Sequence, residues 1–224
     1  MSTAIIFDMD GTLFQTNRIL ELSLDVTFEL LREKNLWDKE TPIDKYRRIM
    51  GVPLPAVWET LLPNHSIDTR NLANDFFQKQ LIGNIHSGRG ELYPNVLEIF
   101  QKLKKNHFPI FIASNGQTEY LDAIVHYYSL QELITEMFSI QQIASQNKSE
   151  LVGKIVKKYN LKNGFVVGDR LTDFLAAKDN NLISIGCRFD FAQEEELSQA
   201  DYIIDDLLNV ERIISSCHSD RLSI

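Results

Sequence analysis

The stretch Ala4-Ile5-Ile6-Phe7-Asp8-Met9-Asp10-Gly11-Thr12-Leu13 constrains this chain more than any other. Four apolar residues in a row, two of them β-branched, predict a short buried strand, and the run stops at two aspartates separated by one residue. On an extended backbone Asp8 and Asp10 point to one side with Cα atoms roughly 6.5–7 Å apart, which leaves room for a cation. Carboxylates that close repel, so a site keeping both needs a hard cation such as Mg²⁺, or a proton on one of them. Gly11 permits a sharp turn, and Thr12 offers a hydroxyl and an N–H. A solvated turn has the same composition, so the rest of the chain has to decide between the two.

With 224 residues, 44% of them hydrophobic and 24% charged, the chain can build one sizeable domain plus a smaller one. Asp and Glu outnumber Lys and Arg by 31 to 23, and the resulting net charge of −8 argues against nucleic acid as a partner. A small anion remains compatible, because a metal and a few cations can reverse the field inside one cleft. No apolar run approaches the ~18 residues of a membrane span, and no basic segment precedes an apolar one at the start. The expectation is a cytoplasmic protein with no membrane partner. Cys187 and Cys217 lack a metal-like pattern and read as free thiols, and the glycosylation-type triplets at Asn64 and Asn147 read as chance.

From Thr16 to about His86 the composition is that of helices. Leu20, Leu22, Leu24, Val26, Phe28 and Leu30 alternate as a strand would, but the length of Ile19 to Glu33 and its Leu and Glu content predict a helix. Further helices are expected over 44–50, 55–62 and 68–81, separated by Gly51, Pro53 and the Pro63-Asn64 turn. Connections near 14–17 and at Ser87-Gly88-Arg89-Gly90 join this insert to the remainder, and the two glycines are either a hinge or ordinary loop residues. Residues 1–15 and 88–224 would then be the core and 16–87 the insert.

Beyond it, strands are expected at 109–113, 137–140, 164–167, 182–185 and 202–204, with helices at 94–105, 118–128, near 130–136, 151–159 (preceded by Lys148), 171–180 and 207–215. Glu194-Glu195-Glu196 reads as the solvated first turn of a short helix, and the residues after Cys217 as a frayed polar tail. Alternating strands and helices predict an α/β fold, a doubly wound, Rossmann-like parallel sheet with a small all-helical unit inserted after the first strand.

Such sheets bind ligands at the carboxyl ends of their strands. The groups found there are Asp8 and Asp10, then Ser114 and Asn115, then Asp169 with Asp173, while Lys148 opens a crossover helix. Each has an ordinary explanation singly, as a cap or a solvated charge; their joint occurrence in this order points to a site.

Together these residues resemble the haloacid dehalogenase-like superfamily over nearly the whole chain. Asp8-Met9-Asp10-Gly11-Thr12-Leu13 is similar to its first motif, Ser114-Asn115-Gly116 to the second, Lys148 to the third and Gly168-Asp169-Arg170-Leu171-Thr172-Asp173 to the fourth. The insert looks like the helical cap of the phosphoglycolate phosphatase and β-phosphoglucomutase branch. The resemblance implies Mg²⁺ as cofactor and a phosphatase hydrolysing a small phosphate monoester, a phosphorylated metabolite, through an aspartyl phosphate. Asp8 would be the nucleophile and Asp10 the general acid and base, with Lys148 and Ser114 steadying the phosphoryl group. Asp8, the Asp10 carbonyl and Asp169 would hold the metal, and Asp173 would support the metal or Lys148. Thr12, Asn115 and, from the cap, Arg47, Arg48, Gly51 and Trp58 would meet the substrate, unless Trp58 is cap core and the arginines are solvated charges. Arg170 either reaches the cleft or faces solvent. The mutase branch matches at Thr16 but carries a histidine where this chain has Leu20, which favours hydrolysis. A phosphosugar mutase and a catalytically silent metabolite-binding relative are the alternatives. A receiver-type signalling module is disfavoured by the insert, and a sugar transferase does not account for Ser114, Lys148 and Asp169 together. Monomer or homodimer is left open.

Overall fold

The structure, a computed structural model, describes residues 3–221, with side chains through Cys217. Its centre is β1 (Thr3–Phe7), buried along its whole length. The five remaining strands are β2 (Ile110–Ser114), β3 (Glu136–Ser139), β4 (Asn163–Gly168), β5 (Ile183–Cys187) and β6 (Tyr202–Ile204), in a six-stranded sheet of order β3-β2-β1-β4-β5-β6. Every neighbouring pair is parallel, and β1 is in register with both flanking strands, Phe7 lying opposite Ile112 and Val167. This is the doubly wound α/β architecture expected from the alternation of elements.

The unbroken apolar run in β1 follows from burial on both faces. Ile5 and Phe7 enter one core with Ile110, Ile112 and Phe100, whereas Ala4 and Ile6 enter a second with Phe111, Leu151 and Val166. Phe7 and Phe100 meet with ring centroids 5.1 Å apart. Each such side chain contributes about 1.5–3 kcal/mol on burial, so β1 is fixed from above and below before any polar residue is placed.

Between β1 and β2 come α1 (Asn17–Glu33), α2 (Ile43–Arg48), α3 (Leu54–Leu61), α4 (Ile67–His86) and α5 (Val96–Lys105). In α1 the buried positions are Ile19, Leu20, Ser23, Leu24, Thr27, Phe28 and Leu31, a helical stripe. Leu22 and Val26, which gave the sequence its strand-like alternation, are exposed. Phe28, Trp58 and Phe77 form an aromatic core for the insert, Trp58 crossing Phe77 edge-on at 5.6 Å. Trp58 is therefore packing material. The connections into and out of the insert run side by side: Phe14 bridges Leu92, and Gln15 N–H donates to the Glu91 carbonyl at 2.8 Å.

The second half adds α6 (Thr118–Tyr127), α7 (Lys148–Lys158), α8 (Leu171–Asp179), α9 (Glu194–Leu197) and α10 (Asn209–Arg221). Several boundaries differ from expectation. α4 continues past residue 81 to His86. The helix expected near 130–136 is a single 3₁₀ turn over Leu130–Glu132, because the Ile110 carbonyl captures Thr135 N–H at 2.7 Å and starts β3 at Glu136. β3 ends at Ser139, whose hydroxyl accepts from Gln141 N–H and opens the next turn at Ile140. The tail expected to fray after Cys217 is helical to Arg221, and 222–224 lie outside the described residues. Cys187 and Cys217 are both free. Among the described residues no helix is long and apolar enough to cross a membrane.

Candidate active site

The carboxyl ends of β1, β2 and β4 converge with the start of α7 on one cluster. Asp8 N–H still pairs with the Val167 carbonyl at 2.8 Å, one residue past the strand, which fixes the carboxylate at the sheet's edge. The chain then folds over itself, the Met9 carbonyl accepting from both Leu13 and Phe14 at 2.9 Å. Gly11 adopts φ +79°, and a Cβ there would lie 2.4 Å from an Asp169 carboxylate oxygen, so this turn needs glycine for conformation and for room. Thr12 hydroxyl, fully buried, donates to Asp169 at 3.1 Å.

Asp8, Asp169 and Asp173 are buried, and one carboxylate oxygen from each lies within 4.8 Å of the others. Lys148, the first residue of α7 and itself buried, places Nζ 2.6 Å from Asp8 and 2.5 Å from Asp173. Asp173 comes so close because Gly168 has no side chain: a Cβ there would lie 2.1 Å from the Asp173 carboxyl carbon. Burial dominates the Asp8 carboxyl; although Lys148 opposes it, Asp173 and Asp10 add to it, and the pKa is pushed up to about 7. Burial, with Asp8 and Asp173 adding, holds Asp169 well above the usual carboxylate range. For Lys148 burial works against the charged form, but the Asp173 and Asp8 carboxylates outweigh it and keep the ammonium above its ordinary pKa.

Asp10 is arranged differently. Thr16 and Tyr120 hydroxyls both donate to its Oδ1 at 2.6 Å, which leaves Oδ2 for a ligand. Burial raises its pKa, against those two hydrogen bonds and the charge of Lys148. Its carboxylate is not one of the three that lie close enough to hold a metal together.

A single cleft is lined by Asp8, Asp10, Ser114 and Asn115 from the sheet and roofed by residues of α2 to α4. Ser114, the last residue of β2, is 1% exposed, and its hydroxyl accepts from Gly116 N–H at 3.0 Å. Asn115 reaches the insert, its Nδ2 donating to the Gly51 carbonyl at 2.6 Å. Arg47 and Arg48 do not line this cleft. They flank a separate hollow with Asn17 and Asp190, and Arg47 is paired with Glu21. Arg170 does not face solvent either: its guanidinium grips Glu196 at 2.9 and 3.2 Å, and Glu196 also accepts Leu171 N–H. The acidic turn of α9 is therefore only partly solvated, as Glu196 fastens the start of α8.

A profile of the haloacid dehalogenase-like hydrolases matches residues 5–187. The chain belongs to the haloacid dehalogenase-like hydrolase family. Among its relatives, a phosphoglycolate phosphatase of Haemophilus influenzae is 23% identical over 93% of this chain and 96% of its own. A 5'-nucleotidase of Pseudomonas aeruginosa is 20% identical over 95% of each. A solved Haemophilus somnus structure described as a predicted phosphoglycolate phosphatase superposes with a TM-score of 0.83 at 21% identity, covering 95% of this chain and 98% of that one. In this hydrolase Tyr120, Thr16 and Glu196 are the site-building residues that sequence reasoning left without these roles. Tyr120 sits in the apolar stripe of α6 beside Leu121 and Ile124, where it reads as core.

Proposed function

We propose that the chain is an Mg²⁺-dependent phosphatase that hydrolyses a small phosphate monoester through an aspartyl phosphate on Asp8. The observation that carries this reading is the pairing of Asp8 with Lys148 at 2.6 Å beside two further buried carboxylates, at the end of the central strand. Buried carboxylates at that spacing form an all-oxygen donor set, the kind a small hard dication prefers, and Lys148 alone leaves them short of positive charge. Asp8 and Asp169 would hold it with the Asp10 carbonyl, and Asp173 would orient Lys148. Bound there, the metal would draw charge from the phosphoryl oxygens and favour the ionised form of Asp8.

The remaining steps fall to the chain's own groups. An Asp8 oxygen attacks phosphorus as the ester P–O bond breaks, and Asp10 gives its proton to the departing alkoxide. Water then attacks the phosphoryl group, Asp10 takes the water's proton, and the Asp8–phosphorus link breaks to return carboxylate and phosphate. The raised pKa of Asp10 suits a group that must start protonated. Lys148 and the Ser114 hydroxyl steady the charge on the transferring group. Residues 16–87 act as a cap that shuts bulk water out. Leu20 is buried in the insert and supplies no proton-transferring group, which supports hydrolysis over mutase chemistry.

Phosphate release from p-nitrophenyl phosphate decides the matter. It should require Mg²⁺ and fall by roughly 10³-fold or more in Asp8→Asn, since an amide cannot form the covalent intermediate. Activity surviving that change in clean protein would reject Asp8 as nucleophile.

A further inference from the structure

The part of the cleft above the carboxylates is built without a cation. Its roof is made by Met50, Val52, Leu54, Val57, Phe77 and Leu81, and no Lys, Arg or His is among the residues that line it. The basic residues one would look to do not line it: Arg47 pairs with Glu21, Arg48 flanks the separate hollow, and Arg170 binds Glu196 through Nε and Nη2, its Nη1 lying buried behind Gly51. Besides the Tyr46 hydroxyl, two amide groups break the apolar surface. Gln78 of α4 is 8% exposed, and its Oε1 is buried with no hydrogen-bond partner. Asn115 spends Nδ2 on the Gly51 carbonyl, which fixes its orientation and leaves a buried Oδ1 equally without a partner. Both line the cleft.

Two orphaned acceptors in an apolar pocket call for a ligand that brings donors. A carboxylate or second phosphate on the leaving group would face those oxygens and the Asp10 carboxyl with no cation in the lining to offset its desolvation. An uncharged hydroxyl satisfies them. We propose that Gln78 and Asn115 select esters whose leaving group is an uncharged alcohol carrying at least one further hydroxyl, and exclude those with an anionic leaving group. This rests on the phosphatase reading above and narrows its substrate class.

A near-isosteric pair tests it: 2-hydroxyethyl phosphate and 2-phosphoglycolate differ in CH₂OH against carboxylate. With Mg²⁺ present, kcat/KM should favour the hydroxyethyl ester by about tenfold or more, with inorganic pyrophosphate poorer still. Gln78→Leu should shrink that preference roughly five- to tenfold, and Gln78→Lys should turn it toward phosphoglycolate. Calorimetric binding of the two esters to the Asp8→Asn protein ranks them without turnover, so the selectivity is measured even if the chemistry assigned to Asp8 is wrong. Phosphoglycolate binding or reacting as well as the hydroxyethyl ester, or a Gln78→Leu protein with an unchanged ratio, would overturn the proposal. Absence of any turnover, p-nitrophenyl phosphate included, would count against the phosphatase reading while the binding order still judged this one.

Discussion

Asp10 owes its behaviour to two hydroxyls on one oxygen. Thr16 and Tyr120 hold Oδ1 from opposite directions in the chain, one from the turn after β1 and one from α6, so the free oxygen has a fixed direction. Tyr120→Phe removes one donor to the ionised form, and the Asp10 pKa should rise further. The acid limb of the kcat–pH profile, where Asp10 must be deprotonated to activate water, should then move to higher pH and kcat fall by about tenfold. An unmoved profile would mean that the tyrosine only packs. At this scale the residues legible in the sequence were those stationed at strand ends or a helix start: Asp8, Asp10, Ser114, Lys148 and Asp169. Tyr120 and Gln78 were not legible, because a polar atom on an otherwise core-like helical stripe gains its meaning only from what faces it across the cleft.

The turn from β4 into α8 shows the same limit one level up. Its string Gly168 to Asp173 could be read as a ligand-binding turn, but the element that secures it lies elsewhere in the chain. Glu196 of α9 joins the Arg170 guanidinium and the Leu171 N–H, both at the start of α8. Three consecutive glutamates look solvated from sequence alone, and only the placement of α9 against α8 singles out the third. Glu196→Gln keeps the shape but weakens charge-assisted bonds, and should cost about 1–2 kcal/mol, seen as a Tm lower by several degrees. Because α8 carries Asp173, Mg²⁺ affinity should weaken as well, which a substitution disturbing only the surface would not cause. α1 is the complementary case: its alternating leucines suggested a strand, yet its length pointed to a helix, and the buried stripe from Ile19 to Leu31 follows the helical period.

For the molecule as a whole, the acidic cluster sets how stability depends on pH. Without metal, the folded state keeps Asp8 protonated to about pH 7 against 3.8 for an ordinary aspartate, and Asp169 shifts the same way. Between those values the folded form binds more protons than the unfolded chain, so stability should fall as pH rises through the window. Mg²⁺ held by the ionised cluster, as proposed, should reverse the trend. Thermal melts ought to show a larger Mg²⁺-induced rise in Tm at pH 7.5 than at pH 5, with about 2.7 kcal/mol gained at a hundredfold excess over Kd. Equal rises at both pH values would place the metal away from these carboxylates.

The Asn115 amide spans from the end of β2 to the Gly51 carbonyl, tying the two halves of the cleft together at 2.6 Å. Lifting the roof from the sheet would break that tie, so if departure needs that movement it, rather than bond cleavage, should set the pace of each cycle. Turnover should then slow in step with solvent viscosity when sucrose is added, and Asn115→Ala should lose that sensitivity.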